Sequence, residues 1–136
     1  TDGKGHQTLL QYDSHGMLTS RTRALGEPET RTTAWAYHAS YPALPTLIER
    51  PSVDGGASLR PTTFVYDSSG ALVEQNEEGE ENGSAYLLST IHTVNTAGET
   101  TSIDPPGFGT TDATTFTYDP AYPRPLTMQD GTGTNA

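Results

Sequence analysis

One short segment of this sequence strongly constrains the fold, because it predicts a β-hairpin. In Thr62–Glu74, Phe64 and Tyr66 alternate with Thr63 and Val65, Asp67–Gly70 follows, and an apolar segment resumes at Ala71. Alternation is typical of a half-buried strand, Asp bonds the backbone of a turn, and Gly adopts positive φ. We therefore expect Tyr66 and Leu72 to pack against each other, with Asp67–Gly70 as the turn.

The hairpin pattern returns along the chain at intervals of 24 to 29 residues. Thr8–Ser20 is a second clear copy, and less regular copies are centred on Tyr37, Val94 and Tyr118. A hairpin cannot bury its own apolar face, so repeated hairpins must pair with their neighbours in a continuous sheet. We assign the following residues to the structural repeat: Tyr12, Asp13, Gly16, Leu18, Tyr37, Tyr66, Asp67, Gly70, Leu72, Tyr118 and Asp119.

The repeat predicts an all-β fold, an array of antiparallel β-hairpins that forms a curved and twisted sheet. The array is expected to span residues 8–130 in about five units near Tyr12, Tyr37, Tyr66, Val94 and Tyr118, with residues 1–7 frayed and 131–136 a flexible tail. Glu74–Gly83 carries five Glu, which predicts a solvated loop. Because only 32% of the residues are hydrophobic, we expect a thin core.

Charge and composition exclude several classes of partner. A formal net charge of −10 argues against nucleic acid, whose phosphates require a basic surface. No apolar run is long enough to span a bilayer, so membrane insertion is not expected. The chain has no Cys, which excludes disulfides and thiolate metal sites. It begins at Thr1 rather than Met, and we expect it to be a segment of a longer protein.

The repeated motif resembles that of a known family. Tyr12-Asp13-Ser14-His15-Gly16-Met17-Leu18 and Tyr66-Asp67-Ser68-Ser69-Gly70-Ala71-Leu72 resemble the Tyr-Asp-x-x-Gly-x-Leu unit of RHS/YD-repeat proteins. Tyr118-Asp119-Pro120 is similar to the Tyr-Asp-Pro variant of that unit. The resemblance covers about residues 8–130. Two copies depart from the pattern, since His38 stands at the Asp position and Val94-Asn95 replaces Tyr-Asp.

The resemblance implies a function as well as a fold. In bacterial insecticidal complexes and polymorphic toxins, such hairpin strips form a shell around a toxic domain, and in teneurins they belong to adhesion receptors. This chain would then be a structural segment of an RHS-type β shell, secreted or at the cell surface. Its partners would be other repeats of the same parent chain and an enclosed toxin domain. Unpaired strand edges also favour edge-to-edge self-association.

The sequence contains no recognisable catalytic or metal-binding motif. The four His are scattered, and no nucleophile-elbow, phosphate-loop or dinucleotide-binding pattern occurs. We therefore predict a non-enzymatic protein with no catalytic residue, no cofactor and no bound metal. The alternative is a carbohydrate- or receptor-binding module in which exposed aromatic side chains stack on sugars, the candidates being Trp35, Tyr41 and Tyr122.

Overall fold

In the part of the chain that it describes, the computed structural model has ten β-strands and one short 3-10 helix, Gly109–Asp112. The structure describes every residue except 1, 2, 4, 27, 53–58, 82, 83, 108, 123 and 132–136. The strands are β1 (Thr8–Tyr12), β2 (Leu18–Arg23), β3 (Arg31–Tyr37), β4 (Pro45–Pro51), β5 (Leu59–Tyr66), β6 (Leu72–Glu81), β7 (Ser84–Val94), β8 (Thr100–Asp104), β9 (Thr114–Tyr118) and β10 (Pro125–Gln129).

The strands follow one another across a single antiparallel sheet in chain order, from β1 to β10. This arrangement confirms the predicted all-β array of antiparallel hairpins. The chain divides into two compact units. The first unit comprises Thr1–Thr63 and Glu77–Ala85, and the second comprises Phe64–Asn76 and Tyr86–Ala136. No helix in the described part of the chain is long and apolar enough to cross a membrane.

Strand register determines which side chains share a face in the first unit. Arg21 of β2 lies opposite Leu10 of β1 on one side and opposite Thr33 of β3 on the other. Trp35 lies opposite Ile48, across the β3–β4 pair. Residues directly opposite in an antiparallel pair have their side chains on the same face. Arg21 and Trp35 therefore project from one face of the sheet, since Trp35 is two residues beyond Thr33.

The second unit repeats the same kind of ladder. His92 of β7 lies opposite Ile103 of β8, Ser102 of β8 opposite Thr115 of β9, and Phe116 opposite Met128 of β10. Consecutive strands of this unit are neighbours in the sheet, and the connection from β8 to β9 contains the 3-10 helix.

A backbone irregularity occurs in four of the hairpins, including the two that lack the Tyr-Asp motif. The register shifts beside Tyr12, Tyr37 and Val94, and again between Pro125 and Thr127 at the β9–β10 hairpin. Such bulges bend a strand and re-aim its side chains. The residue pairs at these bulges are Tyr12–Leu18, Tyr37–Pro45, Val94–Thr100 and Tyr118–Pro125.

The expectation of a thin core was wrong for the described residues. None of their hydrophobic side chains is buried, and the buried residue is Thr62, at 4% exposure. Tyr12 is 57% exposed, whereas Tyr66 and Leu72, the expected packing pair, are half-buried. A core needs two packed layers, and these strands form one layer that leaves both faces accessible.

The expectation of a loop over Glu74–Gly83 was wrong as far as Glu81, although most of its Glu side chains are solvated as expected. Leu72–Glu81 is strand β6, the second longest of the ten, and residues 82 and 83 lie outside the described part. Glu77, Glu78, Glu80 and Glu81 are exposed within it. In a one-layer sheet, charged side chains on either face keep their water, so charge does not prevent the backbone from pairing.

The strands of the described structure run from Thr8 to Gln129. β1 starts at Thr8, after residues 5–7, which have no regular structure, and β10 ends at Gln129. The predicted tail, 131–136, lies outside the described residues from 132 onward.

Candidate functional site

In each of the two regular hairpins, the turn is held by the side-chain carboxylate of its Asp residue. Asp13 Oδ1 accepts hydrogen bonds from the backbone N–H groups of His15 at 2.8 Å and Met17 at 2.9 Å. Asp67 Oδ1 accepts from the N–H groups of Ser69 at 2.8 Å and Ala71 at 2.9 Å. One oxygen thus satisfies two backbone donors in each turn, as an Asx turn requires.

The irregular copies reproduce this turn with other side chains. Asn95 Oδ1 accepts from the N–H groups of Ala97 and Glu99, both at 3.0 Å. At the β3–β4 turn, His38 Nδ1 accepts from the N–H groups of Ser40 and Tyr41, both at 3.2 Å. A single acceptor atom at this position is therefore the shared requirement, and neither a carboxylate nor a charge is essential.

The turn at Asp119 is a variant with an added ion pair. Asp119 Oδ1 accepts from the Ala121 N–H at 2.8 Å, and Oδ2 pairs with Arg124 Nη2 at 2.9 Å. The Arg124 guanidinium also lies 6.0 Å from the centre of the Tyr122 ring.

Glycine is required at the end of the regular turns. Gly16 has a φ of +79° and Gly70 has a φ of +87°, and each donates its N–H to the carbonyl of the Asp that opens the turn. A residue with a Cβ is strained at such angles.

The tyrosines before the turns link one hairpin to the preceding one. The Tyr37 hydroxyl donates to the Leu18 carbonyl at 2.8 Å, and the Tyr118 hydroxyl donates to the Thr100 carbonyl at 2.7 Å. Each acceptor is the first residue of the return strand of the preceding hairpin. Sequence analysis assigned these tyrosines to packing and missed this role of the hydroxyl, which only the strand register reveals.

A cleft lies between consecutive turns in each unit. In the first unit, a cleft of about 210 Å³ is lined by Trp35, Tyr37 and the turns at Asp13 and His38. In the second unit, a cleft of about 480 Å³ has Phe116, Tyr118 and the turns at Asn95 and Asp119 in the same positions. We call these the Trp35 cleft and the Phe116 cleft.

The three aromatic residues proposed to stack on sugars occupy different settings. Trp35 is half-buried at the Trp35 cleft, with the Arg21 guanidinium 5.8 Å from its ring centre. Tyr41 is 38% exposed, and its ring lies 5.2 Å from the His38 ring. Tyr122 is 66% exposed at the Phe116 cleft. Trp35 and Tyr41 belong to the first unit, and Tyr122 belongs to the second.

The electrostatics of the turns follow from their hydrogen bonds. The Ser69 hydroxyl and the Ala71 N–H lower the pKa of Asp67, because both bonds favour the ionised carboxylate. The Ala121 N–H and the Arg124 guanidinium lower the pKa of Asp119 for the same reason. Partial burial raises the pKa of Tyr66. The shifts of Asp67 and Asp119 arise from hydrogen bonds within their own turns.

No metal centre is formed by the described residues, since no group of three or more His, Asp or Glu side chains converges among them. One feature that sequence analysis did not single out is a cleft of about 500 Å³ lined by Arg21, Arg23 and Arg31. The sequence does contain a signal for this cleft, because these three arginines fall within eleven residues of a chain that is acidic overall.

Comparison with known proteins assigns no family to the chain. No protein-family model matches it, and no curated protein sequence matches it either.

Proposed function

We propose that this chain is a non-catalytic structural segment of an RHS/YD-repeat shell that encloses or presents a toxin or effector domain. The observation that carries the proposal is the hydroxyl bond from Tyr37 to Leu18 and its counterpart from Tyr118 to Thr100. Each bond joins a hairpin to the one before it, which is the role expected of a residue that builds a continuous wall from repeated units.

The exposure of apolar side chains supports a wall that contacts other protein. Leu87, Leu88 and Ile91 along β7 are 59%, 43% and 41% exposed. A one-layer sheet leaves such residues in water unless something covers a face. Leu87 and Ile91 lie on one face of β7 and Leu88 on the other, so apolar side chains are exposed on both faces of this strand. In this proposal the covering material is the enclosed domain or other repeats of the parent chain.

The two edge strands of the sheet support pairing with further repeats. β1 and β10 each have one neighbouring strand, and every residue in both is exposed. Tyr12 occupies the position from which Tyr37 and Tyr118 donate, and Pro125 begins a return strand as Leu18 and Thr100 do. We propose that the Tyr12 edge pairs with a preceding hairpin and the Pro125 edge with a following one. A second copy can take either place, giving edge-to-edge self-association.

Protection from proteolysis tests the enclosing role. The parent protein, containing this segment and its effector domain, is incubated with a nonspecific protease beside the isolated effector domain. We expect the effector domain to survive in the parent and to be degraded when isolated. Equal degradation rates in the two samples would reject enclosure.

A second candidate function, carbohydrate binding, is favoured by the exposure of Tyr122 beside the Phe116 cleft. Aromatic rings that stack on sugars are exposed in the free protein, as this ring is. Titration with simple sugars, followed by intrinsic fluorescence, distinguishes the two functions. Binding that is lost in Tyr122→Ala and retained in Tyr12→Ala supports this second function, and an unchanged signal supports the structural one.

A further inference from the structure

We propose that Arg21, Arg23 and Arg31 form a binding site for a tetrahedral oxyanion, a phosphate or sulfate group. The three side chains line a cleft of about 500 Å³ in the first unit. They are three of only seven basic residues in a chain with a net charge of −10. Concentration of positive charge in one cleft of an acidic protein is the feature to be explained, and the structural role proposed above does not require it.

Strand register forces two of these charges together. Arg23 of β2 lies directly opposite Arg31 of β3, and Arg21 lies opposite Thr33. Because side chains at i and i+2 of a strand share a face, all three arginines project to the same side. Like charges directly opposite destabilise a sheet. An anion between them turns this repulsion into attraction.

Among the residues that the structure describes, no anionic group pairs with these guanidinium groups. No hydrogen bond or ion pair joins the side chains of Arg21, Arg23 or Arg31 to an acceptor within the described residues, and the buried Nε of Arg21 has no partner. Glu29, the acidic residue that lines the cleft, lies 3.7 Å from His6.

Other arginines of the chain are engaged in structural contacts. Arg50 Nη1 donates to the Thr62 hydroxyl at 2.9 Å, and Arg124 pairs with Asp119 at 2.9 Å. This contrast separates the cleft arginines from those that stabilise turns or strands. The Trp35 ring, 5.8 Å from the Arg21 guanidinium, helps to orient that group by a cation–π contact.

The chemistry of the ligand follows from the donors. Guanidinium groups bind phosphate and sulfate oxygens through paired N–H donors, and three of them match a doubly charged group better than a single carboxylate. The group can be a free ion or an ester on a larger molecule such as a sulfated sugar. The protein recognises the oxyanion in either case.

Calorimetric titration at constant ionic strength tests the site, with sodium phosphate, sodium sulfate and a sulfated disaccharide as probes and sodium chloride as the reference salt. We expect saturable binding of the oxyanions. Arg31→Gln and Arg23→Gln should weaken it about tenfold or more, since each removes charge-assisted hydrogen bonds. The matched control is Arg124→Gln, which loses the same charge in the second unit and should bind normally.

Thermal denaturation with and without oxyanion provides a second test, which separates a loss of binding from a loss of folding. Without oxyanion, Arg31→Gln should melt at or above the wild-type temperature, because it removes a like-charge pair. With phosphate, the wild type should gain stability and the variant should not. Stronger binding of the sulfated disaccharide than of inorganic sulfate would identify an ester as the source. Binding no tighter than chloride, or equal binding by all variants, overturns the proposal.

Discussion

The hydroxyl of Tyr118 donates a 2.7 Å hydrogen bond to the carbonyl of Thr100, the first residue of the preceding hairpin's return strand. Tyr37 makes the equivalent bond to Leu18 at 2.8 Å. The acceptor lies 18 residues before the tyrosine in one case and 19 in the other. None of the described hydrophobic side chains is buried. This repeated hydrogen bond therefore adds to the backbone hydrogen bonds that hold neighbouring hairpins together.

Removing one of these hydroxyls should destabilise the protein measurably. Tyr118→Phe keeps the ring and deletes the bond to Thr100, so the free energy of unfolding should fall by about 0.5–1.5 kcal/mol, the net value of a typical hydrogen bond. Urea denaturation measures the loss. Tyr12→Phe is the matched control, because Tyr12 is 57% exposed on the edge strand β1 and no preceding return strand among the described residues can accept its hydroxyl, so the loss should change little. Equal effects of the two substitutions would contradict the role assigned to Tyr118.

The Asp67 turn should weaken in acid. The Ser69 hydroxyl and the Ala71 N–H lower the pKa of Asp67 in the folded state below its value in the unfolded chain. The unfolded state therefore binds the proton more tightly, and the stabilisation present above about pH 4 is lost as the pH falls towards the folded-state pKa. Hydrogen exchange of the Ala71 amide between pH 6 and pH 3, corrected for the intrinsic pH dependence of exchange, should report weaker protection in acid.

Asp67→Asn supplies the control for this pH dependence. Asn95 accepts the same two backbone bonds in its own turn without an ionisable group, so an amide fits this position. The variant should retain the turn at neutral pH and lose the additional weakening at low pH. If wild type and variant respond identically to acid, Asp67 is not the group that titrates.

Ala24 should be better replaced by glycine. It has a φ of +51°, in the left-handed region that costs a residue with a Cβ roughly 1 kcal/mol, and its carbonyl accepts from the Thr30 hydroxyl at 2.6 Å. Ala24→Gly should raise the free energy of unfolding by about 0.5–1 kcal/mol. Ala36→Gly, on an exposed position of β3, should lower it by a similar amount. Thermal denaturation of both variants checks the opposite signs.

Sequence patterning predicted the hairpin order because local chemistry determines it. Alternation before Tyr66, an acceptor at Asp67 and a glycine at Gly70 identify strand, turn and strand within one short segment. The same local logic failed over Glu74–Gly83, where charge suggested a loop. Strand β6 forms there because its backbone pairs with neighbouring strands, which no local pattern encodes.

The features of the candidate sites depended on register and could not be read from the sequence. Arg23 and Arg31 are eight residues apart, and only the β2–β3 pairing places them directly opposite each other. The bond from Tyr37 to Leu18 likewise needs the bulge beside Tyr37 and the pairing of β2 with β3. The sequence showed that His38 stands where the motif has Asp. Only the structure shows that His38 Nδ1 accepts the hydrogen bonds of the turn.

Val94 is the position at which the tyrosine link can be added. It pairs with Thr100 beside a bulge, as Tyr37 pairs with Pro45, so it holds the place of the tyrosine in its hairpin. In the two observed links, the acceptor is the carbonyl of the first residue of the preceding hairpin's return strand. For Val94 that residue is Leu72, where β6 begins. Val94→Tyr should gain about 1 kcal/mol in the free energy of unfolding relative to Val94→Phe, which supplies the ring without the hydroxyl. Chemical denaturation of the two variants isolates the bond, and equal stabilities would show that the tyrosine link does not transfer between repeats.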